Sequence, residues 1–552
     1  MNIMNISRRQ WAIMLIVLIA VGGSGGGFYL YLNHRPVNTV DITVNFDDCF
    51  VSDEYDGNGA PRKMLPVYNT LNIWDIDWFT NPSNNPTDYA NKYYWVDQLV
   101  VMTATGGRDT YSNEYLNVTE SGVPTYNFTK LETMIDWLQV ADIDPVFVIG
   151  NTPHNLTDDP DNVDYGAFGA NTASPNNFTM YRNYIRALAQ HVLNYGGSDF
   201  LANWTWRIYT EPDNDDWLEN SLDAYFQIYN TSACAIRSVL PDAKIALGNM
   251  MDKKMDDRFR SFLNRLDTEI PDVFPDQIGW SVYGFVTDDL FLRKAFSDIQ
   301  DWKDYLHKLG YDNIEFVIEE GQILTDDDGK RLWSGDSTEI GAAFTANAFK
   351  ECIVSNISRY TTWQFYSGEL RTPKLNVIDM FMNMTGESLV SLNVGYDWLT
   401  LGSKRTIDGL ASISDQGDCA HILLYNLIHD RDYRHNVSVT LSTSGKPESL
   451  VDIRAYVVDR TRSNFHVDWD VYSDGFTYYG TEQYNDGSRY DVALWNVLRG
   501  DERDDFSLWS WNHRNDYRLE ETHDFSESEG QIMFNMDSNS VFLIEFLSDL
   551  SQ

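Results

Sequence analysis

The sequence predicts a (β/α)8 TIM barrel followed by a C-terminal β-sandwich, with a membrane or signal segment ahead of both. Three observations carry this. From about residue 65, short β-rich runs alternate with amphipathic helical stretches. After about residue 395, alternating runs separated by turn residues replace that pattern. At the start, Arg8 and Arg9 precede an uncharged run from Trp11 to Leu32.

The N-terminal run is long enough to span a bilayer. Its strictly apolar part stops at Val21, because Gly22 to Gly27 is nearly all glycine. That shorter stretch also fits the h-region of a signal peptide. Ser7-Arg8-Arg9-Gln10-Trp11 resembles a twin-arginine export signal. Both readings keep the positive flank inside and put the remainder on the extracellular side of the membrane, anchored or secreted. No cysteine follows the run closely, so lipid attachment is not expected. Nine N-x-S/T sequons lie downstream, from Asn117 to Asn436, and would be glycosylation acceptors in an exported glycoprotein. We therefore expect residues 1–36 to form a cytoplasmic stub and the membrane or signal segment. Residues 37–64 should be a linker whose strand Asp41–Phe46 joins the sandwich.

The barrel is expected over residues 65–390. Its strands are Leu71–Trp74, Leu99–Thr103, Pro145–Asn151, Trp204–Glu211, Lys244–Asn249, Gln277–Gly284, Ile314–Glu320 and Tyr360–Phe365. Between them lie helical stretches such as Leu131–Val140, Met180–Leu193, Leu222–Leu240, Leu290–Leu309 and Ile340–Val354. Eight strands with intervening helices point to a closed barrel. A doubly wound sheet is the runner-up, but no glycine-rich phosphate loop follows the first strand. The sandwich, residues 391–552, contains Asp408–Ser414, His421–Leu427, Val437–Ser442, Ile453–Asp459, Gln531–Met536 and Val541–Phe546.

Composition narrows the function. Net charge is -41, from 82 acidic and 41 basic residues, which repels nucleic acid. The chain holds 60 Asp, 22 Glu and only 14 Lys against 27 Arg. That excess of Asp suits a protein kept soluble in concentrated salt, where self-repulsion is screened, so a halophilic source is expected. Cys49, Cys234, Cys352 and Cys419 form no CxxC, and the ten histidines show no metal-binding spacing. No metal and no cofactor is implied. One or two disulfides are compatible with export, in pairings the spacing leaves open.

Breaking a glycosidic bond needs a proton on the leaving oxygen and a nucleophile or activated water at the anomeric carbon. Two carboxyl groups supply both. In a parallel barrel, the C-terminal strand ends ring one mouth, so acids there matter most. Two strands qualify. Trp204-Thr-Trp-Arg-Ile-Tyr-Thr-Glu211-Pro212 is the fourth, and Ile314-Glu-Phe-Val-Ile-Glu319-Glu320-Gly321 is the seventh. They lie across the mouth from each other. The bland reading of either alone is an exposed strand-ending acid; the ordered pair is the informative feature.

These motifs resemble clan A of the glycoside hydrolases, and specifically family 39, the β-xylosidase and α-L-iduronidase family. The family has Trp-Asn-Glu-Pro on strand four, where this chain has Tyr209-Thr210-Glu211-Pro212. It has Lys-Pro-Phe-Val-Glu-Leu-Gly-Phe-x-Pro on strand three, where this chain has Asp144-Pro-Val-Phe-Val-Ile-Gly-Asn-Thr-Pro153. It has Ile-Thr-Glu-Trp on strand seven, where this chain has Val317-Ile318-Glu319-Glu320. Coverage runs from about residue 65 to 548.

The resemblance implies a retaining glycosidase, with Glu211 as acid/base and Glu319 as nucleophile, roughly 5–5.5 Å apart. Successive strand residues point opposite ways, so one of Glu319 and Glu320 faces the mouth, and Glu320 is the alternative nucleophile. Thr210 replaces the family's Asn, which contacts the sugar 2-OH. The family's His-x-Tyr on strand six reads Ser281-Val-Tyr283, so the His is lost while Tyr283 remains, placed to hydrogen-bond the nucleophile. Trp363, at the end of strand eight, is the candidate sugar platform; its bland alternative is a core tryptophan. The expected partner is an oligo- or polysaccharide of an extracellular glycan. The altered sugar-binding shell favours a rival reading, a catalytically decayed glycan-binding or structural cell-surface protein on the same scaffold.

Overall fold

The computed structural model describes residues 39–548, apart from internal stretches of which the longer are 50–60, 325–337, 364–370, 396–404, 429–435, 469–481 and 491–502. The Arg8-Arg9 flank and the run Trp11–Leu32 lie outside the described residues. Among the described residues, no helix is long and apolar enough to cross a membrane.

Eight parallel strands form the first sheet: Thr70–Asp75, Gln98–Thr103, Asp144–Ile149, Thr205–Ile208, Lys244–Leu247, Gln277–Phe285, Glu315–Leu324 and Thr362–Trp363. Each pairs with its neighbour in sequence, and the eighth returns to the first, with Thr362 opposite Leu71. The seventh and eighth close the ring. Ile318 bridges Tyr360 in parallel, and Gly321 N–H donates to Thr361 O at 2.8 Å. The strands are rich in Val, Ile and Leu because a parallel sheet is covered on both faces.

Helices follow the strands and turn apolar stripes inward. Phe178–Gly196 buries Tyr181, Tyr184, Ile185, Leu188, Ala189 and Val192, the spacing of one helical face. Side-chain caps fix several starts. Asn177 accepts from Met180 N–H, Asp256 from Arg258 and Phe259, and Thr372 from Leu375 just before Pro373. The helix Glu339–Val354 differs, being buried nearly all round. Its sequence, Gly-Ala-Ala-Phe-Thr-Ala-Asn-Ala-Phe, is small and apolar because it packs on the barrel and on the second domain at once. Tyr425 of that domain donates to Asn347 Oδ1 at 2.7 Å, and Lys350 reaches Asp408 at 2.8 Å.

The second domain is a ten-stranded sheet. In spatial order its strands are Glu520–Thr522, Leu450–Val458, Ser540–Ser548, Cys419–Ile428, Arg405–Ile413, Ser388–Gly395, Thr39–Cys49, Val437–Ser444, Gln531–Met536 and Phe525–Ser528. It wraps round its own core, in which Phe46 meets Phe546 and Phe534 meets Phe542. The expected N-terminal strand joins it, antiparallel to Ser388–Gly395 and parallel to Val437–Ser444. Ser388–Gly395 itself is not among the strands read from the sequence. The four cysteines are unpaired.

Candidate active site

The fourth strand ends at Ile208, three residues earlier than expected, because the chain then leaves extended geometry. Tyr209 and Glu211 have φ of 76° and 38°, a region that non-glycine residues seldom occupy. The neighbours hold this turn in place. Tyr209 N–H donates to Ile149 O at 2.6 Å, and its hydroxyl donates to Trp217 O at 3.0 Å. Tyr225 donates to Ile208 O at 2.9 Å and accepts from Gly248 N–H at 2.7 Å. A Cβ on Gly248 would lie 2.9 Å from Ile208 O and 3.0 Å from Pro212 Cδ, so only glycine permits this approach. Such strain persists where surroundings over-determine it, commonly at functional sites.

The turn delivers Glu211 into a nearly closed environment. Its carboxyl is 7 % exposed and accepts from Asn214 Nδ2 at 2.8 Å. The Ser281 hydroxyl hydrogen-bonds it as well. Burial raises its pKa above the usual carboxylate value against those two hydrogen bonds, and the nearby Asp213 charge adds to the rise.

The seventh strand carries a bulge. Ile318 stands opposite Trp280 and Glu320 opposite Ser281, so Glu319 has no partner of its own. A bulge re-aims side chains and breaks the inside–outside alternation. Glu319 and Glu320 therefore both face the barrel interior, at different depths. Glu320 shares the Glu211 site. It accepts from Tyr283 Oη at 2.8 Å and from Asn249 Nδ2 at 3.1 Å. Asn249 Nδ2 also reaches Ser281 Oγ at 2.7 Å. One hydrogen-bonded chain thus runs from Glu211 through Ser281 and Asn249 to Glu320. Burial first, and the Glu211 charge second, push Glu320 up to about 8, against the lowering effect of Arg207, Tyr283 and Asn249. The Glu211 charge thus raises Glu320, while Glu211 itself is raised by burial and by Asp213.

Glu319, expected opposite Glu211 and bonded to Tyr283, is placed otherwise. It is 1 % exposed and clamped between Arg207, at 3.1 Å, and Arg359, at 2.5 Å. Arg359 also donates to Gln98 and Gln277. These residues make the barrel centre a buried ionic core, in which Arg207 Nε and Arg359 Nε have no partner among the described residues, and Glu320 takes the place beside Tyr283 that was expected for Glu319. A Cβ on Gly279 would fall 2.5 Å from Glu319 Cγ, so glycine there makes room for the clamp.

Of the other expected site residues, Ser281 and Tyr283 belong to the carboxyl network. Thr210 is buried and accepts from Arg207 Nη2 at 3.1 Å, which ties it to the core. Trp363 ends the eighth strand opposite Asn72, and its side chain lies outside the described residues. Asn214, Asn249 and Arg207 were not singled out from sequence. Asn249 ends the fifth strand run, where an Asn in a parallel barrel was the available signal. Its Oδ1 is buried with no partner among the described residues, as are both amide atoms of Gln322.

One group of described residues, Glu387, Cys419 and His421, has ligand atoms close enough to hold a metal. It lies in the second domain, away from Glu211 and Glu320. Glu387 takes up the His421 ring at 2.9 Å and Cys419 Sγ at 3.1 Å, and Ser412 donates to Glu387 at 2.6 Å. These contacts satisfy the group as an ion pair.

The model of the family described as "Glycosyl hydrolases family 39" matches residues 105–271, which include Glu211 but neither Glu319 nor Glu320. A beta-xylosidase from Geobacillus stearothermophilus is 26% identical over 123 residues, 22% of this chain and 24% of that protein. Another from Caldicellulosiruptor saccharolyticus is 22% identical over 130 residues, 23% of this chain and 26% of that protein. The aligned stretch thus spans about a quarter of the curated relatives. Structural likeness reaches further. A monomeric beta-xylosidase from Caulobacter crescentus CB15 superposes with a TM-score of 0.64 at 13% identity, covering 93% of this chain and 100% of the other. The GH39 enzyme from Xanthomonas axonopodis pv. citri gives 0.64 at 12% identity, covering 94% and 98%. The chain therefore resembles glycoside hydrolase family 39, in sequence around its fourth strand and in fold over nearly its whole length.

Proposed function

We propose that the chain is a retaining glycosidase in which Glu211 is the acid/base and Glu320 the nucleophile. The supporting observation is the pair itself: two buried carboxyls at strands four and seven, joined through Ser281 and Asn249, each with a pKa raised first of all by burial. With Glu211 protonated and Glu320 ionised, Glu211 donates to the leaving oxygen while Glu320 attacks the anomeric carbon. The positive charge developing at that carbon favours ionised Glu320, as do Tyr283, Asn249 and Arg207. A glycosyl ester forms and the aglycone departs. Glu211, now ionised, then takes a proton from water, which attacks the same carbon and releases the sugar with retained configuration. The names of the relatives support β-xylosides as first substrates. Action outside the cell belongs to the same proposal, supported by Arg8, Arg9 and Trp11–Leu32.

A glycan-binding protein on this scaffold would not need the pair. Two buried carboxyls cost stability, and sugar binding alone does not require both. Azide separates the readings. Glu211→Ala with a dinitrophenyl β-xyloside should stall after the first step, and added azide should restore turnover as a glycosyl azide of retained configuration. Glu320→Gly with azide and the same dinitrophenyl β-xyloside should give the α-glycosyl azide, of inverted configuration. Absence of turnover by the parent chain on nitrophenyl glycosides, in both low and molar salt, would contradict the proposal.

A further inference from the structure

A cleft of about 880 Å³ opens between the segment after the first strand, the start of the helix Pro373–Met384, and the segment that includes the helix Arg503–Asn512. Its charge runs against that of the molecule. Over the chain, acids outnumber bases by 82 to 41. Among the cleft-lining residues, Lys92, Arg371, Arg514 and Arg518 face a single acid, Asp88. Arg371 is paired with Asp379 behind it. Arg514 and Arg518 are exposed and, among the described residues, paired with no carboxylate. In a molecule this acidic, two guanidiniums with no carboxylate partner among the described residues are a local attractor for anions.

The same cleft presents fixed aromatic rings. Trp511 is 54 % exposed, with the Arg514 guanidinium 4.1 Å from its ring centroid. Tyr94 is 49 % exposed, and its hydroxyl is pinned by Asp379 and by Arg371 at 3.1 Å. Trp78 is held edge-on against Phe79, Tyr89 and Trp137. Rings already immobilised lose little entropy when a ligand stacks on them. Pyranose C–H faces suit such rings, and planar guanidiniums suit carboxylate or sulfate oxygens in bidentate fashion.

We infer that this cleft is a second binding site, for an acidic polysaccharide carrying carboxylate or sulfate groups. The segment that follows the first strand lines it together with Arg371, Thr372 and Leu375. The site does not depend on Glu211 or Glu320, and its failure would leave the catalytic reading standing.

Calorimetric titration of the full chain carrying Glu211→Gln and Glu320→Gln tests this without hydrolysis. Polygalacturonate, dextran sulfate and neutral dextran are the probes, in the lowest salt at which the chain stays folded. At least one polyanion should bind, and dextran roughly tenfold more weakly or not at all. Preference between the two polyanions identifies the carboxylate or the sulfate as the recognised group. The double variant Arg514→Ala/Arg518→Ala should lose roughly tenfold or more of the polyanion affinity at unchanged melting temperature. Trp511→Ala should also weaken binding while leaving both arginines in place. Polyanion affinity unaltered in the double variant, or dextran binding equal to that of the polyanions, would overturn the inference.

Discussion

Glu320 is held under opposing influences, and this yields the sharpest predictions at the residue scale. Its pKa rises from an unfolded value of about 4.3 to about 8 in the fold. A raised carboxyl contributes stability that is fully present below the unfolded pKa and is lost as pH rises through the folded one. Glu320→Gln should therefore gain little at pH 4.5. At pH 8 it should gain on the order of 2–4 kcal/mol over the parent. Melting curves across that range check this, and a gain independent of pH would contradict it. The same titration should appear in kcat/KM as a rising limb near pH 8, because Glu320 must be ionised to attack. Glu319 should behave in the opposite way. Glu319→Gln leaves Arg207 and Arg359 buried without their counter-charge and should cost about 3–5 kcal/mol. Denaturant titration at neutral pH measures it.

At the element scale, the bulge on strand seven decides the site. Eight strands and their order were readable because alternating β-rich runs and amphipathic stretches repeat along the chain. The carboxylates of strands four and seven were readable because strand-ending acids ring a barrel mouth. The choice between Glu319 and Glu320 was not, because it rested on regular alternation, and the bulge at Glu319 removes that alternation. The end of strand four was hidden similarly: nothing in Ile208-Tyr209-Thr210-Glu211 announces positive φ at two non-glycine residues. The strand Ser388–Gly395 is mostly polar or half-buried beyond Val390, so it lacked a clear apolar face. Closure beside the bulge depends on Gly321, where an added Cβ would lie 2.2 Å from the Tyr360 ring. Gly321→Ala should force strands seven and eight apart. A loss of about 1–3 kcal/mol is expected from such overpacking, read as a lowered denaturant midpoint together with reduced turnover. An unchanged midpoint would mean that Tyr360 yields freely.

At the scale of the whole molecule, charge and architecture set the working conditions. A net charge of -41 destabilises the compact state through self-repulsion unless salt screens it. The screening length falls from about 30 Å at 0.01 M salt to about 3 Å at 1 M. Circular dichroism during dialysis should show unfolding, or a fall in melting temperature, as salt is withdrawn; constant melting would exclude a salt requirement. The barrel and the second domain should respond together, since the helix Glu339–Val354 is buried between them. Within that frame, the central claim is a covalent sugar ester on one named carboxyl. Incubation with a dinitrophenyl 2-deoxy-2-fluoro-β-xyloside should trap it, because fluorine slows both formation and hydrolysis of the ester, and the good leaving group restores only its formation. Peptide mapping by mass spectrometry should then find the fluorosugar on Glu320; a label on Glu319, or a parent chain that hydrolyses xylosides with no label at all, would contradict the account.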